Sequence, residues 1–192
     1  MIKKFVFAAA LFLVSLCFAD NLSAGNFGLT GGANFHTVNL KGAGGETLTQ
    51  WNVGVVGKFN LPLGLQLHPA LLYNVKAGSA GSAPVNFSVG YLELMASAQW
   101  GLDLILLRPY LEVSPFVGYC LNGWGRVDPT ADWRSGERLE YGLGLGGGLQ
   151  IWRFQVAARY NWSFTDIKTP ENVDFNGVTL SLTYFFGNKK KR

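Results

Sequence analysis

The stretch WRFQVAARYNWSF, Trp152–Phe164, sets Trp152, Phe154, Val156, Tyr160, Trp162 and Phe164 on one parity and Arg153, Gln155, Arg159 and Asn161 on the other. A period of two is the pattern of a β-strand whose faces meet different surroundings. The preceding segment, Leu139–Gln150, repeats the rhythm with Tyr141, Leu143, Leu145 and Leu149 against Glu140, Gly142, Gly144, Gly146 and Gly148. One face is bulky and apolar, and the other is charged or bare.

Six further segments follow the same rule: Phe27–His36, Gln50–Asn60, Gly64–Lys76, Phe87–Trp100, Ile105–Asn122 and Gly177–Phe186. Across all eight, the charged residues Lys58, Lys76, Glu93, Arg108, Glu112, Glu140, Arg153 and Arg159 share the polar parity. Random placement would scatter them. The sequence therefore predicts an all-β fold, an eight-stranded antiparallel up-and-down barrel.

A closed barrel can point either face outward. A soluble periplasmic lipid-binding barrel would bury its apolar face, but eight strands enclose room only for side chains or one small ligand. Trp, Phe and Tyr on most strands would overfill it. Turned inside out, small polar groups and glycines line the lumen. The large side chains then meet lipid, with Trp51, Trp100, Trp152, Tyr184 and Phe186 as interfacial girdles. A lysine or arginine on the lipid face costs about 2–4 kcal/mol at the midplane, which accounts for five basic residues avoiding it. Unpaired backbone groups in hydrocarbon cost several kcal/mol each, so the sheet must close. The expected fold is a transmembrane barrel.

Asn60–Gly64, Gly101–Leu104 and Leu149–Ile151 read as tight turns, and Thr37–Thr49, Ala77–Asn86, Gly123–Arg138 and Thr165–Asn176 as long hydrophilic loops. Short turns belong to the periplasmic side. Both termini are then expected in the periplasm.

Composition agrees. The 192 residues are 48% hydrophobic and only 15% charged, the reverse of a disordered chain. Lys3 and Lys4, the apolar run Phe5–Phe18 and the Ala19-Asp20 junction predict a cleaved signal peptide over 1–19. The barrel domain is expected over 20–188 and a basic tail over 189–192. Cleavage lowers the net charge from +4 to +2 and leaves Cys120 as the sole cysteine, so no intramolecular disulfide can form. The basic tail carries more than that charge, so the body is not basic and no nucleic-acid partner is expected.

Over nearly its whole mature length the chain resembles the PorT-like family of small outer-membrane β-barrels. The stretches that carry the likeness include NFGLTGGANFH, LPLGLQLHPALLYNVKAGS, VGYLELMASAQW, LRPYLEVSPFVGYCLNG and GVTLSLTYFFG. The resemblance implies an eight-stranded barrel without catalytic motif, with one relative linked to protein secretion. No functional residue is carried over.

Several constellations bear on function. Gly142–Gly147 matches G-x-G-x-x-G, but a dinucleotide site needs a helix to follow, and the next segment alternates as a strand. No cofactor is expected. Glu93, Arg108, Glu112 and Arg159 point to the lumen and are expected to form an ion-pair network, since buried charges require partners. His36, with Ser163 or Asp166, is the candidate rim site of an alternative function, a lipid-modifying hydrolase or acyltransferase; their spacing forms no triad. His36, His68 and Cys120 fall short of a transition-metal set. Trp124, Arg126, Trp133 and Arg134 lie in the 123–138 loop, and Trp and Arg are enriched at binding hot spots. They are the expected contacts for an envelope protein partner. The leading expectation is a non-enzymatic barrel in the outer-membrane lipid bilayer with a structural or interaction role.

Overall fold

The computed structural model describes residues 27–40, 43–80, 85–125, 138–165 and 176–186. The expected signal peptide, 1–19, and the basic tail, 189–192, lie outside them. The described strands are β1 (Phe27–Leu40), β2 (Ala43–Gly57), β3 (Phe59–Asn60), β4 (Leu65–Ala80), β5 (Val85–Gly101), β6 (Leu107–Gly125), β7 (Leu139–Ile151), β8 (Phe154–Ser163) and β9 (Asn176–Phe186). Every pairing is antiparallel. β1 pairs with β2 on one side and β9 on the other, while β2 pairs with β4, so the ring closes without an edge. β3 is β2 resumed. Val56↔Ala70 and Phe59↔Leu67 keep one register across the break at Lys58, so the barrel has eight staves. Following partners once round returns to β1 about ten residues away, a stagger that tilts the strands roughly 40° from the axis.

The outer surface is the apolar parity. Leu29, Val53, Val55, Leu71, Leu92, Val113, Leu145, Leu149, Val156, Leu180 and Leu182 are exposed and form an aliphatic belt. Rings border it. Phe27, Trp100, Trp152, Phe154, Tyr184 and Phe186 lie toward the tight-turn end, and Trp51, Tyr73, Tyr119, Tyr141, Trp162 and Phe164 toward the other. Several pack in pairs, among them Phe154 with Tyr184 at 5.1 Å and Trp51 with Tyr73 at 5.7 Å between centroids. A hydrocarbon-facing band between two aromatic girdles is the exterior of an outer-membrane barrel. A soluble carrier would have to leave this belt in water.

The ends depart from the expected loops. Thr37–Thr49 is mostly ladder, with Thr37↔Thr47, Val38↔Glu46 and Leu40↔Ala43 paired. Ladder also continues through Ala80↔Val85 and Phe87↔Gly125. Polar side chains do not weaken backbone pairing, and β-branched Thr and Val favour it.

At the tight-turn end, β7 runs on to Ile151. Trp152 and Arg153 make a two-residue turn rather than the start of a strand, with Trp152 at φ 54°. Arg153 therefore lies outside the lumen-facing ladder, its guanidinium 5.0 Å from the Trp152 ring centroid. In the β3–β4 turn Leu63 and Gly64 both have positive φ, and a Cβ on Gly64 would strike the carbonyl oxygen of Gly101. Glycine is required there on both counts.

Candidate functional site

The polar parity of the strands faces inward, and five of its charged side chains lie in two connected groups, Lys76, Glu93 and Glu140 in one and Glu112 and Arg159 in the other. In the first, Asn161 Nδ2 donates to Thr179 Oγ1 at 2.9 Å, and Thr179 Oγ1 to Asn34 Oδ1 at 2.9 Å. Asn52 Nδ2 donates to the same Asn34 oxygen at 2.8 Å, while Asn34 Nδ2 donates to Asn74 Oδ1 at 2.6 Å. Asn74 Nδ2 donates to Glu93 Oε2 at 2.9 Å. Lys76 Nζ stands 3.8 Å from that carboxylate oxygen and donates to Glu140 Oε1 at 2.6 Å. The same ammonium lies 5.2 Å and 5.0 Å from the ring centroids of Tyr91 and Phe116. The hydrogen-bonded members come from seven staves. Polar groups shut away from water need partners, and here they find them around the circumference, with Glu140 Oε2 left without a hydrogen bond.

The second group centres on Glu112. Arg159 Nε donates to Glu112 Oε1 at 2.9 Å, and Gln99 Nε2 donates to Oε2 at 3.0 Å. Glu112 and Arg159 both face Gly146, on opposite sides of β7. The glycine row lets them meet. A Cβ on Gly144 would strike Arg159 Cδ, one on Gly142 the Phe116 ring, and one on Gly148 would come 2.6 Å from the Tyr110 hydroxyl. Side chains from β6 and β8 thus lie over β7, and β8 follows the G-x-G-x-x-G run as a strand.

The lumen also holds bulk that alternation did not assign to it. Val56, Ala70, Leu72, Met95, Phe116 and Phe185 form a buried apolar cluster inside the barrel, flanked by Tyr91 and Tyr110. The expectation that large rings all face lipid is corrected, because the space above the glycine row has to be filled. What remains is a cavity of about 40 Å³, enough for water but not for a small-molecule ligand.

The four expected network residues separate. Arg159 and Glu112 meet directly, and Glu93 belongs to the other group through Asn74 and Lys76. Arg108 stands apart at the tight-turn mouth, with Nε 3.3 Å from Asp103 Oδ1 and Nη2 donating to the Gly64 carbonyl at 2.8 Å. It lies at the start of β6, close to the turn, where the carboxylate of that turn is nearer than any in the lumen. Sequence reasoning left Lys76, Glu140 and the asparagine chain out of the network. Lys76 and Glu140 were visible on the polar parity, whereas the contacts needed register. Trp124 pairs through its backbone with Ser88. Its side chain, and Arg126, Trp133 and Arg134, lie outside the described residues, as do the His36 side chain and Asp166. His68 is buried, with Nε2 3.1 Å from Gln66 Oε1 and its ring edge-on to Phe185. Among the described residues no three of His, Cys, Asp and Glu group as metal ligands.

The family model described as "Outer membrane protein beta-barrel domain" matches residues 6–186. Among solved structures, Neisserial surface protein A (NspA) is similar at 14% identity and TM-score 0.51, covering 83% of this chain and 97% of its own. The Yersinia pestis attachment invasion locus protein Ail matches at 16% identity and TM-score 0.49, covering 84% of this chain and 99% of that one. The N-terminal β-barrel domain of Pseudomonas aeruginosa OprF matches at 13% identity and TM-score 0.42, over 84% and 98%. No curated protein sequence matches the chain. At these identities the structural likeness concerns the fold.

Proposed function

The chain belongs to the outer-membrane β-barrel domain family, and from that premise we propose that it acts as a non-enzymatic interaction scaffold of the cell envelope. In this proposal a cleaved signal peptide, residues 1–19, directs export. The tight turns and both termini face the periplasm, with the basic tail 189–192 beside the membrane, and the long connections face outward. A partner protein of the envelope is recognised through the 123–138 connection, with Trp124, Arg126, Trp133 and Arg134 as contacts. The PorT-like resemblance extends the role to protein secretion.

The observation that supports a scaffold most directly is the filled lumen. Two hydrogen-bonded groups and an apolar cluster occupy it, so neither solute passage nor a ligand chamber accounts for the barrel. The function then falls to the ends, where loops on a rigid wall commonly carry recognition.

The test is fractionation followed by protease treatment of intact cells. The protein should extract only with detergent and migrate differently before and after boiling. A site introduced at 130 should be cut from outside. Cleavage only after the outer membrane is breached would reverse the proposed orientation. Undiminished partner capture after joint alanine replacement of the four loop residues would remove them from the interface.

A further inference from the structure

The tight-turn mouth of the barrel opens into a vestibule of about 540 Å³ that is separate from the lumen network. Its polar lining includes Lys58, Arg108, Gln66 and Gln150, and its lip is built from Leu104, Ile105, Leu106 and Trp152. We propose that this vestibule binds an anionic phospholipid of the surrounding leaflet, with the phosphate against Lys58 and Arg108 and an acyl chain over the leucine-rich lip.

The cationic half rests on unmet charge. Lys58 interrupts β2 and β3, and its ammonium donates to the neutral Gln150 Oε1 at 2.9 Å and lies 5.3 Å from the Phe185 ring centroid. No carboxylate pairs with it among the described residues. Arg108 is only 4% exposed, yet its Nη1 has no hydrogen-bond partner among them. Its one anionic neighbour, Asp103, also lines the vestibule and is 75% exposed. Two cations thus share one solvated carboxylate at the edge of the barrel, where the effective dielectric is below that of water and an uncompensated positive charge draws an anion. A phosphate supplies acceptor oxygens for both an ammonium and a guanidinium.

The apolar half singles out a lipid over a free anion. Ile105 is 99% exposed, Leu106 80% and Leu63 88%, in turns that lie next to each other through β4 and β5. Turns in water rarely present so many aliphatic groups together. The lip is continuous with the lipid-facing belt through Leu65, Trp100 and Trp152, all exposed. A molecule with its phosphate in the vestibule can therefore lay its chain along a surface that already meets the membrane. The proposal goes beyond the interaction role above, because it concerns the opposite end and requires no protein partner.

The test uses the full mature chain in a non-ionic detergent micelle at low ionic strength. Dioctanoyl phosphatidylglycerol is titrated while the Arg108 Nε and Trp152 indole resonances are followed by NMR. Dioctanoyl phosphatidylcholine and inorganic phosphate are run in parallel. Saturable shifts of both resonances at one lipid per barrel are expected with phosphatidylglycerol. Lys58→Gln should weaken binding about tenfold or more, the effect of losing one charge-assisted hydrogen bond. Arg108→Gln should do the same. If that variant fails to fold, Lys58→Gln carries the test, since its side chain sits at a break in the ladder. Equal affinity for phosphatidylcholine, or unchanged affinity in Lys58→Gln, would overturn the charge-based site. Equal affinity for inorganic phosphate would overturn the lipid as occupant, and the absence of any saturable shift would overturn the site itself.

Discussion

Arg159 and Glu112 meet across an intervening strand: both face Gly146 of β7, and Arg159 Nη2 lies 2.8 Å from Glu112 Oε1 above it. The pair is almost wholly buried, with side chains 9% and 0% exposed. Removing one member leaves a charge with no water to solvate it. Arg159→Met or Glu112→Leu should each lower stability by about 3–5 kcal/mol, and the double variant should recover part of that loss. Urea unfolding in lipid vesicles, with all four members of the cycle, measures this. Additive losses would mean that the two residues do not act as a pair.

The path between them depends on absent side chains. Gly144→Val would drive branched carbons into the Arg159 stem and bring strain of about 1–3 kcal/mol. Combining it with Arg159→Ala should remove part of that penalty, since the obstructing methylenes are gone while Asn161 Oδ1, 2.7 Å from the same Cβ, stays. Equal cost in both backgrounds would mean that the Arg159 stem is not the obstruction.

Arg108 should behave differently from Arg159. Its ion-pair partner is Asp103 at the turn, so Arg108→Ala leaves every lumen carboxylate with its present neighbours. The expected loss is about 1–2 kcal/mol, from the lost guanidinium hydrogen bond and lost packing, while the Gly64 carbonyl keeps its bond from the Gly101 N–H. A loss as large as that of Arg159→Met would tie Arg108 to the lumen network after all.

The exterior can be tested by depth. Val113→Arg lies in the aliphatic belt and should destabilise the inserted barrel by about 2–4 kcal/mol. Leu63→Arg, at a turn tip, should cost about 0–1 kcal/mol. Refolding into vesicles reports the difference, and equal costs would remove the membrane from the account of the outer face.

Alternation made the barrel legible because inward Asn52, Glu112 and Arg159 are followed by outward Val53, Val113 and Tyr160. Strand number survived even the break at Lys58, since Phe59 keeps the parity of Val55. Strand ends were harder. Outside hydrocarbon the pattern loses its two-faced constraint, so Thr37–Thr49 reads as loop while Thr37 and Thr47 pair in the ladder. Trp152 looked like a strand residue for the opposite reason: its size suits the lipid face, and nothing in its type announces a positive φ. For the lumen, parity identified Glu93, Glu112 and Arg159 as inward but not who meets whom. Register decides that, because Lys76 reaches Glu140 from a stave three positions away. Phe116 and Phe185 were missed as filling because a ring on the inner parity follows no rule except the shape of the gap above glycine.

β6 runs for 19 residues and β5 for 17, where roughly 9–11 suffice to cross a bilayer. The surplus is collected at one rim, so the sheet stands clear of the headgroups there as a stiff collar. Whatever that rim presents is held at a set height and heading, like a fitting on a mast. Shortening the collar by matched residue pairs would lower its cargo toward the headgroups without altering a single contact below.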